Sequence, residues 1–461
     1  MANVDLQYSS PEMRNRVDRI SDLPLHVLHH ILSFLPTEHA VRTCLLSSYW
    51  RNIWRFVHTL YFDESFDDTI EEKPQFDFTK FVDSVLILRD PSHLQKLHLN
   101  LVDLSVGESR VNIWIRYSMN HNVEVIDIVN ESHGYFDLTP CIFTCESLRE
   151  FKLNGNSLNL SASICLPALK VMHLYEVCFE NGQLGEAFFS AIPSLETLIL
   201  EDCIFDDYDI ELITIFACQL KTLIMNGDYP RSVEIFAPVL ISLELNSDDS
   251  TPESIRFKSD IIHLKDVKVS LPASCFESII QLFTVLKNAH SLALRGRFLL
   301  SFTHELLVAP SLLECIQASS CNLRWLKLGT EFSNAEILAI NTILSHSRQV
   351  ETIKLVNEVS KDECGTTTGK YFQAEKVWLK YKLPHLKSVE IQDFRGSENE
   401  MKFVKVILEN AVSLEKLVIT ASYSGSETMT EFINRKNKMV ETGKKLLTYE
   451  RASSSVGILF V

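Results

Sequence analysis

A chain of 461 residues with 46% hydrophobic content can bury a large core, and its length would suit about three ordinary domains. Forty-four Lys and Arg against sixty Asp and Glu leave a net charge of −16. That balance argues against nucleic acid and against an anionic membrane surface as partners, and suits a protein that binds other proteins.

Residues 1–14 read as a flexible polar tail; Met1 to Met13 contain no apolar h-region, so no signal peptide is expected. No apolar run along the chain approaches the ~20 residues a membrane-spanning helix needs. Asn130-Glu131-Ser132 and Asn159-Leu160-Ser161 match the glycosylation sequon, by chance if nothing exports the chain. The eleven cysteines are odd in number and scattered, with no Cys-x-x-Cys. Cys141 and Cys145 lack a second pair to complete a zinc site. Reduced, buried thiols are expected, which fits a cytoplasmic or nuclear protein.

Over residues 15–58, Leu23, Leu28, Ile31, Leu32 and Leu35 recur at helical spacing and form one stripe. Pro24 suits the first turn of that helix, Ser21 or Asp22 can cap it, and Pro36 ends it. Thr37 is placed to cap a second helix carrying Val41, Leu45 and Leu46, and a segment with Trp50 and Trp54 follows. These apolar residues exceed what so small a segment buries by itself. The hairpin therefore either packs on the rest of the chain or presents a docking surface. His26 and His30 stand one turn apart without a third metal ligand, and a solvated face is expected for them.

Arg19-Ile20-Ser21-Asp22-Leu23-Pro24, Ile31-Leu32-Ser33-Phe34-Leu35-Pro36 and Leu46-Ser47 followed by Trp50-Arg51 resemble the F-box of plant F-box proteins. The resemblance spans the whole motif and implies binding to the Skp-type adaptor of a cullin–RING ubiquitin ligase. Carried over by position, it implies that Leu23, Pro24, Leu28, Ile31, Leu32 and Leu35 face the adaptor, and that Leu45, Leu46 and Trp50 complete the surface. Ser48 and Tyr49 stand where that family usually has a basic pair.

Residues 59–76 are acidic, end near Pro74 and read as a linker. Phe78, Phe81, Val82 and Val85 predict a helix. After it one strand phrase recurs: apolar, two residues, apolar, one residue, apolar. It runs from Leu94/Leu97/Leu99 through Val123/Ile126/Ile128, Leu148/Phe151/Leu153, Leu169/Met172/Leu174, Leu195/Leu198/Leu200, Leu220/Leu223/Met225 and Leu240/Leu243/Leu245. Leu264/Val267/Val269 and Ala289/Leu292/Leu294 are weaker copies, and Leu323/Leu326/Leu328 and Val350/Ile353/Leu355 are clear again. Steps of mostly about 20 to 29 residues are the signature of leucine-rich repeats. Helices are predicted between the phrases: Phe276, Ile279, Ile280, Phe283 and Leu286 keep helical spacing, and Ser333 with Glu336 forms a capping box ahead of Ile337, Ile340 and Leu344.

The expected architecture over residues 77–358 is an α/β curved leucine-rich-repeat solenoid with an inner parallel sheet and outer helices. The phrase residues are its core, and the residues alternating with them line the inner face. Cys203 follows Leu200 where such repeats place Asn or Cys to satisfy backbone groups in a turn. Candidate target-binding residues on the inner face are His173, Tyr175, Thr197, Asn226, Glu244, Asn246, Lys268, Arg295, Trp325, Lys327 and Lys354. Tyr, Trp and Arg among them are frequent hot-spot types.

Residues 359–375 are polar and read as a loop. Within it, Gly365-Thr366-Thr367-Thr368-Gly369-Lys370 falls one residue short of a P-loop, and Tyr371 stands where Ser or Thr must hold magnesium, so no nucleotide site is expected. The phrase resumes as Leu386/Val389/Ile391 and Leu414/Leu417/Ile419, with a second capping box at Ser397 and Glu400. Leu383-Pro384-His385-Leu386-Lys387, Phe394-Arg395-Gly396, Leu408-Glu409-Asn410-Ala411, Leu414-Glu415-Lys416-Leu417 and the tail Leu446-Leu447 to Arg451-Ala452-Ser453-Ser454 resemble the plant FBD domain, over 376–461.

The combination resembles the plant F-box/FBD/leucine-rich-repeat family. It implies a non-catalytic substrate-recognition subunit of an SCF-type ubiquitin ligase: the F-box binds the Skp-type adaptor, which brings cullin and RING subunits, and the repeats bind a target protein. Gly-x-Ser-x-Gly, His-Glu-x-x-His and a complete P-loop are absent, and no cofactor or metal is expected. The alternative, for which Ser48 and Tyr49 speak, is a repeat scaffold that does not engage the ligase.

Overall fold

In a computed structural model of the chain, the described residues are 19–67, 77–102, 106–132, 134, 136–159, 164–180, 184–205, 212–247, 254–270, 281–283, 285–295, 298–308, 322–358, 381–420 and 429–460. The polar tail, the loop at 359–375 with its P-loop-like segment, Leu160 and Ser161 of one sequon, and Phe276, Ile279 and Ile280 of one predicted helix lie outside them. The chain divides into two compact units, residues 1–128 and 129–461. No helix among the described residues is long and apolar enough to cross a membrane.

In the first unit, α1 (Leu25–Leu32) and α2 (Thr37–Arg42) are followed by 3-10 turns at Thr43–Leu45 and Trp50–Phe56. Both helices start directly after a proline, Pro24 and Pro36, with no side-chain cap. The caps expected from Ser21, Asp22 and Thr37 are therefore not made. Ser21 Oγ instead accepts from Trp50 Nε1 at 2.9 Å, and Thr37 Oγ1 accepts from Tyr61 N–H at 2.8 Å. Both hydroxyls tie the hairpin to later segments rather than to the first turn of a helix.

Tyr61 belongs to a strand, Thr59–Asp63, which corrects the linker expected at 59–76: Leu60 and Phe62 are buried, and the strand pairs in parallel with Lys96–Leu101. Five residues of alternating burial were hidden by the acidic run that follows them. The predicted helix after it is α3 (Phe78–Leu88), whose N-cap Asp77 accepts from Lys80 N–H at 3.0 Å. Its Asp83 accepts from the indole of Trp114, a fully buried residue of α4 (Glu108–Asn120), at 2.8 Å.

In the second unit the strands Glu150–Asn154, Val171–Tyr175, Thr197–Glu201, Thr222–Asn226, Ser242–Asn246, Asp266–Ser270, Ser291–Leu294, Trp325–Thr330, Thr352–Asn357, Ser388–Gln392, Lys416–Ile419 and Gly457–Phe460 lie side by side in chain order. Every pairing is parallel. Each phrase predicted there supplies the two buried residues of a strand, as in Leu198 with Leu200 and Leu243 with Leu245. The last strand, Gly457–Phe460, carries no such phrase.

Among the described residues, outer helices return the chain in part of this unit, at Phe298–Val308, Asn334–His346, Glu398–Asn410 and Met429–Leu447, with a short one at Glu186–Ser190. Between residues 157 and 257 the return segments are mostly strands instead. Ser157–Asn159, Cys178–Glu180 and Ile204–Phe205 form one small parallel sheet; Leu212–Phe216, Ser232–Phe236 and Ser254–Phe257 form another. The reason is length and period. Twenty residues separate Leu223 from Leu243, too few to fit a helix between two strands and two turns, against twenty-seven from Leu326 to Ile353. Ile213 with Ile215 and Val233 with Ile235 also alternate at the strand period. Phe216 and Phe236 stack in register, centroids 4.5 Å apart.

A left-handed turn recurs after several strands, at Gly155, Glu176, Asp202, Gly227 and Asp393 (φ between 49° and 97°). Its N–H bonds the next repeat: Gly155 N–H to Tyr175 O at 3.0 Å, Glu176 to Glu201 O at 2.9 Å, Asp202 to Asn226 O at 2.8 Å. At Gly155 the conformation and the space agree, because a Cβ there would stand 2.2 Å from the carbonyl oxygen of Asn130. Gly155→Ala is expected to cost about 2 kcal/mol or more, the left-handed penalty plus a backbone overlap that no side-chain rotation relieves. Urea unfolding checks this; an unchanged midpoint would show that the turn yields.

Candidate functional site

Two surfaces are built from the residues singled out by the sequence. The first is on the hairpin. Leu28 and Leu32 are 0% and 2% exposed and Trp50 is 6% exposed; with Ala40, Ile53 and Trp54 they form the hairpin's own core. Of the residues expected to face the adaptor, Leu28, Leu32 and Trp50 are therefore buried in the chain by itself. Leu23 is half-buried. Pro24, Ile31, Leu35, Leu45 and Leu46 remain open, Leu45 at 84% and Leu46 at 68% exposure.

Ile20, Leu25, Phe34 and Tyr49, not among the residues expected to face the adaptor, are exposed as well. Their signal was present in the sequence, since Leu25 starts α1 and Phe34 follows its end. His30 packs edge-on against Phe34, centroids 4.8 Å apart. His29 stacks on Phe56, and burial, then the neighbouring His58 and His26, lowers its pKa and holds it neutral. So many exposed large apolar residues between Ile20 and Tyr49 mark this segment as a candidate interaction site.

The second surface is the open face of the long parallel sheet in the second unit. All eleven inner-face candidates occupy it, ten within strands and Arg295 directly after one. Register brings some together. Tyr175, Glu201, Asn226 and Asn246 stand on one row and line a cavity of about 440 Å³. Glu201, not foreseen, joins two candidates: its carboxylate lies 2.8 Å from His173 Nε2 and accepts from Asn226 Nδ2 at 3.1 Å. Thr197 stands two rows away, opposite Val171 and Thr222.

Further along, Lys268, Ala293, Lys327, Lys354 and Glu390 succeed one another across a second row. Lys268 donates to Glu244 at 2.9 Å, Lys354 to Glu390 at 3.1 Å, and Arg295 to Glu358 at 3.2 Å. Cys203 is on neither surface. It is buried with Sγ 3.5 Å from Leu174 O, and burial pushes its thiol up to about 12, so it fills the turn position expected and stays protonated. The seven cysteines among the described residues are all free.

An F-box domain model matches residues 20–60, and the family model described as "At1g61320/AtMIF1, LRR domain" matches residues 87–458. The chain is similar to the FBD-associated F-box protein At1g66310 of Arabidopsis thaliana, 29% identical over 466 residues and 96% of both chains. It is similar to the F-box/FBD/LRR-repeat protein At5g56420 of the same plant, 24% identical over 96% of this chain and 99% of that one. A third, the F-box/FBD/LRR-repeat protein At1g78750, is 28% identical over 87% of this chain and 90% of the other. The repeat model spans well over half of the chain, which belongs to the plant F-box/FBD/leucine-rich-repeat family.

Proposed function

We propose that this protein is the substrate-recognition subunit of an SCF-type ubiquitin ligase. The open apolar face of the hairpin binds the Skp-type adaptor through Pro24, Ile31, Leu35, Leu45 and Leu46, and through the adaptor engages cullin and RING subunits. The open face of the repeat sheet binds the target protein. The single observation that carries the reading is that the F-box keeps large apolar side chains, Leu45 and Leu46 above all, outside its own core. Burying each against a partner is worth roughly 1.5–3 kcal/mol, enough together to outweigh the cost of association.

The protein supplies no nucleophile or base in this role. Holding the target beside a charged ubiquitin-conjugating enzyme converts a bimolecular encounter into a local one. It works in the cytoplasm or nucleus, in keeping with its free, scattered cysteines. The test is capture of purified adaptor and adaptor–cullin by the full chain. Capture is expected; its failure with wild type would favour the scaffold reading that Ser48 and Tyr49 keep open.

A further inference from the structure

The four cations on the target-facing surface are not equivalent. Lys268, Lys354 and Arg295 each hold a carboxylate of a neighbouring strand or turn. Lys327 makes no hydrogen bond or ion pair among the described residues, although it is half-buried and stands directly opposite Lys354 on one side. On its other side stands only the methyl group of Ala293, with Lys268 one strand further. Trp325 lies two residues before it on the same face, and Gly329 two residues after. Glu358 lies over Gly329 and is held by Arg295, not by Lys327. Burial, then Arg295, Lys354 and Lys268, lowers the pKa of Lys327, and Glu358 opposes them. A chain of net charge −16 thus keeps one partly desolvated ammonium with no ion pair among the described residues, on the strand that carries Trp325.

We propose that Lys327 anchors the target: it receives an Asp or Glu side chain of the target protein, on the open sheet face beside Lys354, Arg295 and Trp325. This rests on the reading that the repeats bind the target. The charge count selects a carboxylate. Among the described residues, four cations set against Glu244, Glu358 and Glu390 leave one positive charge unmatched. A single carboxylate matches that charge and forms charge-assisted hydrogen bonds. A doubly charged phosphate would be repelled by the three glutamates around it. The partly desolvated site raises the worth of the pair above that of an exposed one.

The experiment uses the full chain, immobilised, to select from a displayed library of short random peptides, followed by binding of the selected peptides in solution. Wild type is expected to enrich Asp or Glu at one position. Lys327→Met, which keeps the aliphatic stem, is expected to weaken those peptides roughly 10- to 100-fold, the worth of one charge-assisted hydrogen bond. Lys327→Glu is expected to select Lys or Arg at that position. Thermal midpoints of both variants, expected unchanged, guard against misfolding. Selection of no peptide, the same selection by all three chains, or displacement of the peptide by inorganic phosphate would each overturn the proposal. Adaptor capture, measured on the same chains, reports separately on the ligase reading and is expected to be untouched by either substitution.

Discussion

A chain carrying Leu45→Asp and Leu46→Asp is expected to lose the Skp-type adaptor by at least about a hundredfold while unfolding at the wild-type midpoint. Both side chains are largely in solvent, so a carboxylate there costs the folded protein little. In a complex each would forfeit roughly 1.5–3 kcal/mol of apolar burial and would add an unpaired buried charge. Leu32→Asp makes the informative contrast. At 2% exposure it puts a carboxylate inside the hairpin core, so it is expected to abolish adaptor capture and to unfold the hairpin together. Capture measured by pull-down, with far-UV circular dichroism on each variant, separates the cases. Undiminished capture by the Leu45/Leu46 variant would remove the hairpin from the adaptor interface, whatever happened to Leu32→Asp.

That contrast marks how far the sequence reached. The stripe Leu28, Ile31, Leu32, Leu35 was visible, but i, i+4 pairs on adjacent faces look alike in a sequence. Only the tertiary fold decides that Leu28 and Leu32 turn inward while Ile31 and Leu35 turn outward. The leucine phrases were legible because each places two buried residues at strand period at a near-constant step. The strands that replace outer helices between residues 157 and 257 were not, because leucine spacing says nothing of what returns the chain. The charge pattern on the open face was illegible for a similar reason. The partners of Lys268, Lys354 and Arg295 are 24, 36 and 63 residues away, so which lysine stays unmatched depends on register rather than on any local motif. Both capping boxes were legible and form as expected, at Ser333 with Glu336 and at Ser397 with Glu400.

What the second box does beyond capping leads to the largest stability effect expected in the repeat unit. Glu400 is 0% exposed. One carboxylate oxygen accepts from Ser397 N–H at 2.7 Å; the other accepts from Arg395 N–H at 3.1 Å and from Asn357 Nδ2 at 2.7 Å. Asn357 ends the strand Thr352–Asn357, so the glutamate fastens a helix start to a strand of the preceding repeat. An ordinary N-cap is worth about 1 kcal/mol, and Ser397→Ala is expected to cost that. Glu400→Ala leaves three donors without an acceptor in a buried site and is expected to cost about 3–5 kcal/mol, at roughly 1–3 kcal/mol per unpaired donor. Glu400→Gln keeps the shape and one acceptor oxygen, leaves its amide facing one donor, and is expected to fall between, near 2 kcal/mol. Urea unfolding of the three variants gives the order. If Glu400→Ala were no worse than Ser397→Ala, the bonds to Asn357 and Arg395 would contribute nothing, and the box would be a cap alone.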